Sequence, residues 1–163
     1  MRILMMMGLC ASLMGCIIVP IPVGVSSSSY SPNEAPLPAT APAIQTFDRQ
    51  FAALRREKGL SPLRSNASLD AVALAHSKDM RAHGYVSHND RNGQRAQARV
   101  RQAGITRCGI GENIAQGQDS VAEVIAAWME STGHRRNMLK SDYASYGIGR
   151  DGDYWTLVFA LSC

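Results

Sequence analysis

Proline and charge are distributed unevenly along the chain, and this limits the folded part to one domain. Six of the seven prolines and a run of serines lie between residues 17 and 46. Glu34 is the only charged residue between Arg2 and Asp48. This composition favours a solvated tether with polyproline character, because it offers little apolar surface to bury. Residues 47–163 are then left for a single compact domain of ordinary size.

Residues 1–15 have the layout of a signal peptide, with an early cation, an apolar run and small residues before a cysteine. An apolar run of about a dozen residues is short for a spanning helix, which needs about 20. Residues 17–25 could extend the run if the segment were retained. The sequence Leu13-Met14-Gly15-Cys16 resembles the bacterial lipobox. That resemblance implies cleavage before Cys16 and a diacylglyceryl group on its thiol.

A lipid on Cys16 would make a membrane the first partner of this protein, with residues 16–46 as the tether. Each buried methylene contributes about 0.8 kcal/mol, so several acyl chains hold a soluble domain firmly. Ile17 follows the cysteine where the bacterial sorting pattern would have aspartate for inner-membrane retention. The expected location is therefore the bacterial cell envelope, at the outer membrane or periplasm of a Gram-negative host. A secreted protein and a retained anchor are the alternatives.

The net charge of +4 and a pI near 9.1 permit weak attraction to anionic headgroups. No stripe of lysine and arginine with interleaved aromatics is present, so a nucleic-acid partner is not predicted. The cations Arg91, Arg95, Arg99 and Arg101 cluster in one segment. We interpret them as the solvated face of a helix, and a basic surface that meets lipid headgroups is the alternative.

Apolar spacing and turn residues predict four helices and a terminal hairpin. The predicted helices run from Phe47 to Gly59, from Asn66 or Ser68 to Gly84, over Gln94–Gln102, and from Ser120 through Trp128. The predicted strands are Tyr146–Arg150 and Tyr154–Ser162, joined at Asp151-Gly152. The segment Gly109–Gly117 is too rich in glycine for a regular helix.

Short motifs follow one another through this domain in a fixed order. They are Gly59-Leu60-Ser61-Pro62-Leu63, Ser87-His88, Gly111-Glu112-Asn113-Ile114-Ala115, Trp128-x-x-Ser131-x-Gly133-His134-Arg135-x-Asn137, Gly147-Ile148-Gly149 and Tyr154-Trp155. Their order and spacing over Phe47–Cys163 resemble the CAP superfamily of cysteine-rich secretory, antigen 5 and pathogenesis-related proteins, in particular its bacterial SCP-like branch. The resemblance implies an α+β fold, a three-layer α-β-α sandwich with a central antiparallel sheet, in an extracytoplasmic protein.

In that family two histidines and two acidic residues meet at the floor of a groove, where zinc or another divalent metal can bind. His88, Glu112 and His134 match three of these positions. Ser131 stands at the fourth, and Glu130 comes one residue earlier. One residue is about 100° of rotation on a helix, so we expect Glu130 to point away from the groove.

The chemistry of two imidazoles and a carboxylate leaves three interpretations open. They suit a three-ligand metal site with an open position, or a general acid/base pair with an orienting carboxylate. They could equally bond one another and the backbone in a purely structural role. Asn113 and Asn137 are expected to support the cluster, although capping or turn roles explain them as well. Neither His-Glu-x-x-His nor Gly-x-Ser-x-Gly occurs, so the commoner hydrolase signatures are missing.

Outside this cluster, His76 is expected to be a hydrogen-bonded histidine in or just below the core. Cys108 and Cys163 are the only cysteines in the domain. A leader implies an oxidising compartment, so a disulfide between them is predicted, and two unpaired thiols are the alternative. Such a bond would tie the start of the Gly-Glu-Asn segment to the final strand.

Three functions are compatible with the sequence. The preferred one is an envelope-tethered, non-enzymatic binding module whose groove takes a lipid-like, peptide or glycan ligand, with or without a metal. The second is a metal-assisted peptidase or esterase in which the same cluster activates water and Ser131 or Glu130 assists. The third is a scaffold or interaction protein of the envelope.

Overall fold

The computed structural model describes residues 41–162 of the chain. The predicted signal peptide, the anchor at Cys16, the tether up to residue 40 and Cys163 lie outside the described residues. Within residues 41–162, no helix has both the length and the apolar character needed to cross a membrane.

Five helices and four strands follow one another in the described part of the chain. They are α1 (Ala41–Glu57), β1 (Arg64–Ser65), α2 (Ala67–His83), α3 (Ala96–Gln102), β2 (Ile110–Gln116), α4 (Val121–Glu130), α5 (Thr132–Leu139), β3 (Tyr143–Asp151) and β4 (Tyr154–Leu161). Two predicted helix starts are confirmed by side-chain caps. Asn66 Oδ1 accepts from the N–H groups of Ser68 and Leu69, and Ser120 Oγ accepts from the N–H of Glu123.

The four strands form one sheet in the order β1-β3-β4-β2. The pairs β2/β4 and β3/β4 are antiparallel, and the predicted hairpin is confirmed, with Asp151 opposite Tyr154 at its tight turn. The expectation of an antiparallel sheet is right for the three long strands. It is wrong for β1, whose two residues pair in parallel with Ser145 and Tyr146 of β3 and make the sheet mixed.

Alternate residues of β4 face two different helical layers, which confirms the three-layer sandwich. Trp155, Leu157 and Phe159 pack with apolar residues of α1, α4 and α5. Val158 and Ala160 pack with residues of α2 and α3 on the opposite face. This alternation follows from the period of two in a strand, where successive side chains point to opposite faces.

Gly147 and Gly149 allow α2 to lie directly against β3. A Cβ at Gly147 would overlap the backbone of Leu69 and Asp70, and one at Gly149 would overlap that of Ala73 and Leu74. The Gly-x-Gly motif is therefore a packing requirement, because any larger residue would push the helix off the sheet.

Two elements differ from their predictions, and a third, predicted only as non-helical, proves to be a strand. Helix α1 begins at Ala41, so residues 41–46 of the predicted tether are helical; Pro42 lies in the first turn, where proline removes no helical hydrogen bond. The glycine-rich segment around Glu112 is the strand β2. Thr132–Leu139, for which no helix was predicted, form the short helix α5, whose sequence TGHRRNML has little apolar periodicity.

Candidate functional site

His88, Glu112 and His134 line one cavity of about 570 Å³. His88 comes from the segment between α2 and α3, Glu112 from β2 and His134 from the first turn of α5. Motifs that are far apart in the sequence therefore meet at one wall of the domain. The remaining lining residues are Arg95, Ala96, Gln97, Ile110, Ser131, Gly133, Arg136 and Asn137.

The carboxylate of Glu112 is at the centre of this wall and is 5% exposed. Its Oε1 accepts a hydrogen bond from His88 Nδ1 at 2.8 Å, and its Oε2 accepts one from Arg99 Nη2. Because Nδ1 of His88 bears the donated hydrogen, Nε2 is the ring nitrogen left for other partners. Glu112 thus orients His88 while being neutralised from the other side by a guanidinium.

Arg99 is the residue of this site that the sequence interpretation missed. It was expected on a solvated helix face, but its side chain is only 10% exposed and pairs with Glu112. Its Nη1 also donates to the carbonyl oxygens of His88 and Gln94, at 3.1 and 2.6 Å. The spacing in the sequence could have indicated that Arg99 is buried, because it lies three residues after the buried Ala96 and so shares its helix face.

His134 is held in place by two asparagine side chains that connect α5 to β2. Asn113 Nδ2 donates to the carbonyl oxygen of His134 at 3.1 Å. Asn137 Nδ2 donates to Asn113 Oδ1 at 2.9 Å and to the carbonyl oxygen of Glu112 at 3.2 Å. At its other end, α5 is fixed by Arg55, which donates to the carbonyl oxygens of Met138 and Lys140. The position of His134 relative to Glu112 is therefore set by a buried polar network.

The protonation of His134 follows from its surroundings. Burial lowers the pKa of its imidazole, and the electrostatic influence of the neighbouring His88 lowers it further. His134 is consequently neutral near pH 7 and offers the cavity one donor and one acceptor but no charge.

Ser131 and Glu130 lie at the junction between α4 and α5. Ser131 is the N-cap of α5 and lines the cavity, although its side chain makes no capping hydrogen bond. Glu130 is the last residue of α4, is exposed, and is not among the lining residues. The expectation that Glu130 points away from the groove agrees with this placement.

The donor set does not suit a divalent metal. Within residues 41–162, no group of three or more His, Cys, Asp or Glu side chains is arranged to hold an ion. Both oxygens of Glu112 are engaged, and the nearby Arg99 charge would repel a second cation. A hydroxyl, that of Ser131, stands at the position of the expected second acid. Among the described residues, the three side chains are therefore not arranged as the three-ligand metal site that their chemistry alone allowed, and metal binding here stays a prediction.

A larger cavity of about 780 Å³ lies between α2 and residues 90–103, and none of the three cluster residues lines it. His76 and Arg99 contribute to its wall. His76 is 1% exposed and Nε2 contacts the carbonyl oxygen of Ser87 at 2.9 Å, which confirms the expected hydrogen-bonded core histidine. We place the candidate site in the smaller cavity, because the cluster of His88, Glu112 and His134 is there.

The predicted disulfide stays a prediction, since Cys163 is outside the described residues. Residues close to the two cysteines in sequence do approach each other, because Leu161 N–H donates to the carbonyl oxygen of Gly109 at 2.9 Å. Gly109 follows Cys108 directly, and Leu161 lies two residues before Cys163.

The fold and the position of its motifs define a class of protein. The model of the cysteine-rich secretory protein family, CAP, matches residues 49–161. The chain belongs to this family.

Two proteins of Bacillus subtilis (strain 168) are similar in sequence. YkwD is 37% identical over 123 residues, which are 72% of this chain and 48% of that protein. The membrane protein YlbC is 32% identical over 106 residues, 65% of this chain and 31% of that protein. The chain thus spans less than half the length of each of these relatives.

Two solved structures share the fold. An extracellular protein of Bacillus anthracis that contains an SCP domain superimposes with a TM-score of 0.72 and 25% identity, covering 78% of this chain and 45% of that one. An outer surface protein of Borrelia burgdorferi gives a TM-score of 0.71 at 19% identity, covering 76% of this chain and 96% of that one. These similarities confirm the α+β sandwich.

Proposed function

We propose that this CAP domain is a binding module that works outside the cytoplasm, held at the bacterial cell envelope by a lipid on Cys16. Its family is named for secretory proteins, and the similar Bacillus anthracis structure is described as extracellular. The lipobox-like sequence before Cys16 supports the anchor over free secretion.

The proposed ligand, a lipid-like, peptide or glycan molecule, occupies the cavity beside His88 and His134. One observation carries this proposal: the polar wall of the cavity is built and fixed by its own contacts. His88 is oriented by Glu112, Glu112 is paired with Arg99, and His134 is tied to β2 through Asn113. A site that is rigid before binding loses less entropy when a ligand arrives.

The hydrolase alternative has weaker support. Both oxygens of the Glu112 carboxylate are engaged, by His88 Nδ1 and by Arg99 Nη2, so Glu112 orients a histidine and is not itself free to activate water. Neither His-Glu-x-x-His nor Gly-x-Ser-x-Gly occurs in the sequence, so no hydrolase signature supports a nucleophile here. Turnover of a peptide or ester that is lost in the His88→Ala/His134→Ala double variant would revive this alternative.

Nuclear magnetic resonance with soluble probes tests the binding proposal. The full chain is titrated with a short-chain lipid, a peptide and an oligosaccharide, each in a separate experiment. We expect at least one probe to shift the amide signals of residues 111–114 and 131–137. The His88→Ala/His134→Ala variant should lose the effect, whereas His83→Ala, an exposed histidine outside the cavity, should keep it. If no probe of any class shifts these signals, the proposal is wrong.

Metabolic labelling with a fatty acid tests the anchor. We expect the label to appear in the wild type and in Cys10→Ser, whose altered residue lies in the predicted leader, and to disappear in Cys16→Ser. An unlabelled wild-type protein found in the culture medium would favour the secreted alternative.

A further inference from the structure

The cavity carries positive charge that its own residues leave uncompensated. Arg95 and Arg136 both line it, and among the described residues neither guanidinium has a carboxylate partner. Glu112 is the single acidic residue in the lining, and its charge is already balanced by Arg99. Because His134 is neutral, the unpaired guanidinium groups of Arg95 and Arg136 make the electrostatic potential in the cavity positive.

The two cations reach the cavity from different elements. Arg95 is the residue at the N-cap of α3, and Arg136 lies in α5. Helix α5 is held by the Asn113–Asn137 hydrogen bond and by Arg55, so the backbone that carries Arg136 has a fixed position. A guanidinium group presents paired N–H donors whose geometry matches the two oxygens of a carboxylate or a phosphate.

Polar groups between these arginines add donors for the same kind of ligand. The imidazole of His134 and the hydroxyl of Ser131 face the cavity, and the side chain of Ser131 is not used to cap α5. A Cβ at Gly133 would meet open space, so the cavity is unobstructed beside the first turn of this helix.

We infer that the ligand of this cavity presents an oxyanion, a carboxylate or a phosphate group, which binds between Arg95 and Arg136. This inference rests on the proposed binding function and specifies its ligand class. It also accounts for the poor fit to a divalent metal, because one arrangement of charge cannot favour both an anion and a cation. The rest of the ligand contacts other groups of the wall, among them His88 Nε2.

Titration of the full chain with matched probes tests this inference. The probes are inorganic phosphate, an acetylated dipeptide with a free terminal carboxylate, and the same dipeptide with an amide terminus. We expect phosphate, the free-acid dipeptide or both to shift the amide signals of residues 131–137, and the amide to have no effect. If inorganic phosphate binds more tightly than the free-acid dipeptide, the ligand carries a phosphate, and the reverse order indicates a carboxylate. High salt should weaken the binding, since it screens exposed charges.

Three variants identify the groups responsible. Arg95→Gln and Arg136→Gln should each weaken anion binding about tenfold, the size expected for one charge-assisted contact. Arg101→Gln removes an exposed cation of α3 that does not line the cavity, so it should bind as the wild type does. All three side chains are exposed, and an unchanged melting temperature would verify that the variants fold.

The outcomes separate this inference from the proposed function. Equal, measurable binding of the acid and amide dipeptides, or wild-type affinity for the anionic probe in both Arg95→Gln and Arg136→Gln, would overturn the oxyanion. If no anionic probe binds while an uncharged probe shifts the cavity signals, the inference fails and the binding function stands. If neither anionic nor uncharged probes reach the cavity, the binding function itself fails.

Discussion

Arg99 and Glu112 form an ion pair at the wall of the cavity, where 10% of the Arg99 side chain and 5% of the Glu112 side chain are exposed. Breaking such a pair leaves one charge buried without a partner, which usually costs about 3–5 kcal/mol. We therefore expect Arg99→Gln to lower the free energy of unfolding by about 3 kcal/mol in urea denaturation. The matched variant Arg101→Gln, on the exposed side of the same helix, should change it by less than about 0.5 kcal/mol.

A double variant tests whether the lost stability comes from this pair. Glu112→Gln removes the charge that Arg99→Gln would leave unpaired, so the two effects should not add. Arg99→Gln/Glu112→Gln should be more stable than the sum of the single losses implies. Strict additivity would mean that the two side chains act independently.

Gly147 gives a second prediction, because α2 occupies the space that a side chain would need. We expect Gly147→Ala to lower the free energy of unfolding by more than about 3 kcal/mol or to prevent folding, since overpacking against backbone cannot be relieved by a rotamer change. Gly133→Ala is the control, because its new methyl group meets no atom. The measurement is thermal unfolding of both variants. Equal melting temperatures would mean that the close approach of α2 to β3 at Gly147 is unimportant.

Asp70 should make the stability dependent on pH. It accepts a hydrogen bond from Ile148 N–H at 2.8 Å, and burial raises the pKa of its carboxyl to about 6. A carboxyl whose pKa is higher in the folded state than the usual value of about 4 stabilises the fold when protonated. This contribution is complete below about pH 4 and is lost as the pH rises through about 6.

Asp70→Asn isolates that contribution, because the amide keeps an acceptor oxygen and does not titrate. Between pH 4 and 7 we expect the wild type to lose up to about 1 kcal/mol relative to the variant, a figure reduced for partial solvent screening. Urea denaturation at several pH values measures the difference. A constant difference across this range would contradict the raised pKa.

The disulfide predicted between Cys108 and Cys163 determines how many thiols should react. We expect neither cysteine to react with a thiol reagent in the native oxidised domain, and both to react after reduction and unfolding. In the chain-entropy model, a bond that closes the loop between Cys108 and Cys163 raises the free energy of unfolding by on the order of 4 kcal/mol. Reduction should therefore lower the melting temperature. Two reactive thiols in the native protein would rule out the bond.

Zinc titration tests the interpretation that His88, Glu112 and His134 do not suit a divalent metal. By calorimetry we expect no stoichiometric heat from zinc that depends on His88 and His134. The His134→Ala variant should therefore give the same trace as the wild type. A one-to-one zinc signal that disappears in His134→Ala would show that these residues form a metal site after all.

The sandwich and the meeting of His88, Glu112 and His134 could be predicted through the resemblance to the CAP family, because the order of its short motifs is specific. The hairpin and the caps at Asn66 and Ser120 depend on local chemistry, which a sequence displays directly. The short strand β1 was missed for the opposite reason, since two residues pair only because β3 provides a partner.

Arg99 was wrongly predicted to be solvated because its partner, Glu112, lies on a different element of the fold. A run of arginines normally indicates a solvated surface, and only the packing of α3 against β2 turns one of them toward a carboxylate. Helix α5 escaped prediction because its stability comes from contacts at both ends, with Asn113 and Arg55, rather than from an apolar face of its own.

The hydrogen bond from Asn137 to β2 described above, together with one from Trp128, has a further effect at the margin of the sheet. β2 is an outer strand, and exposed outer strands invite pairing with a second molecule. Asn137 Nδ2 and Trp128 Nε1 donate to the carbonyl oxygens of Glu112 and Ile114, which lie along that strand. At the opposite margin, β1 is only two residues long. Both margins of the described sheet are thereby protected against strand-to-strand pairing with a second molecule.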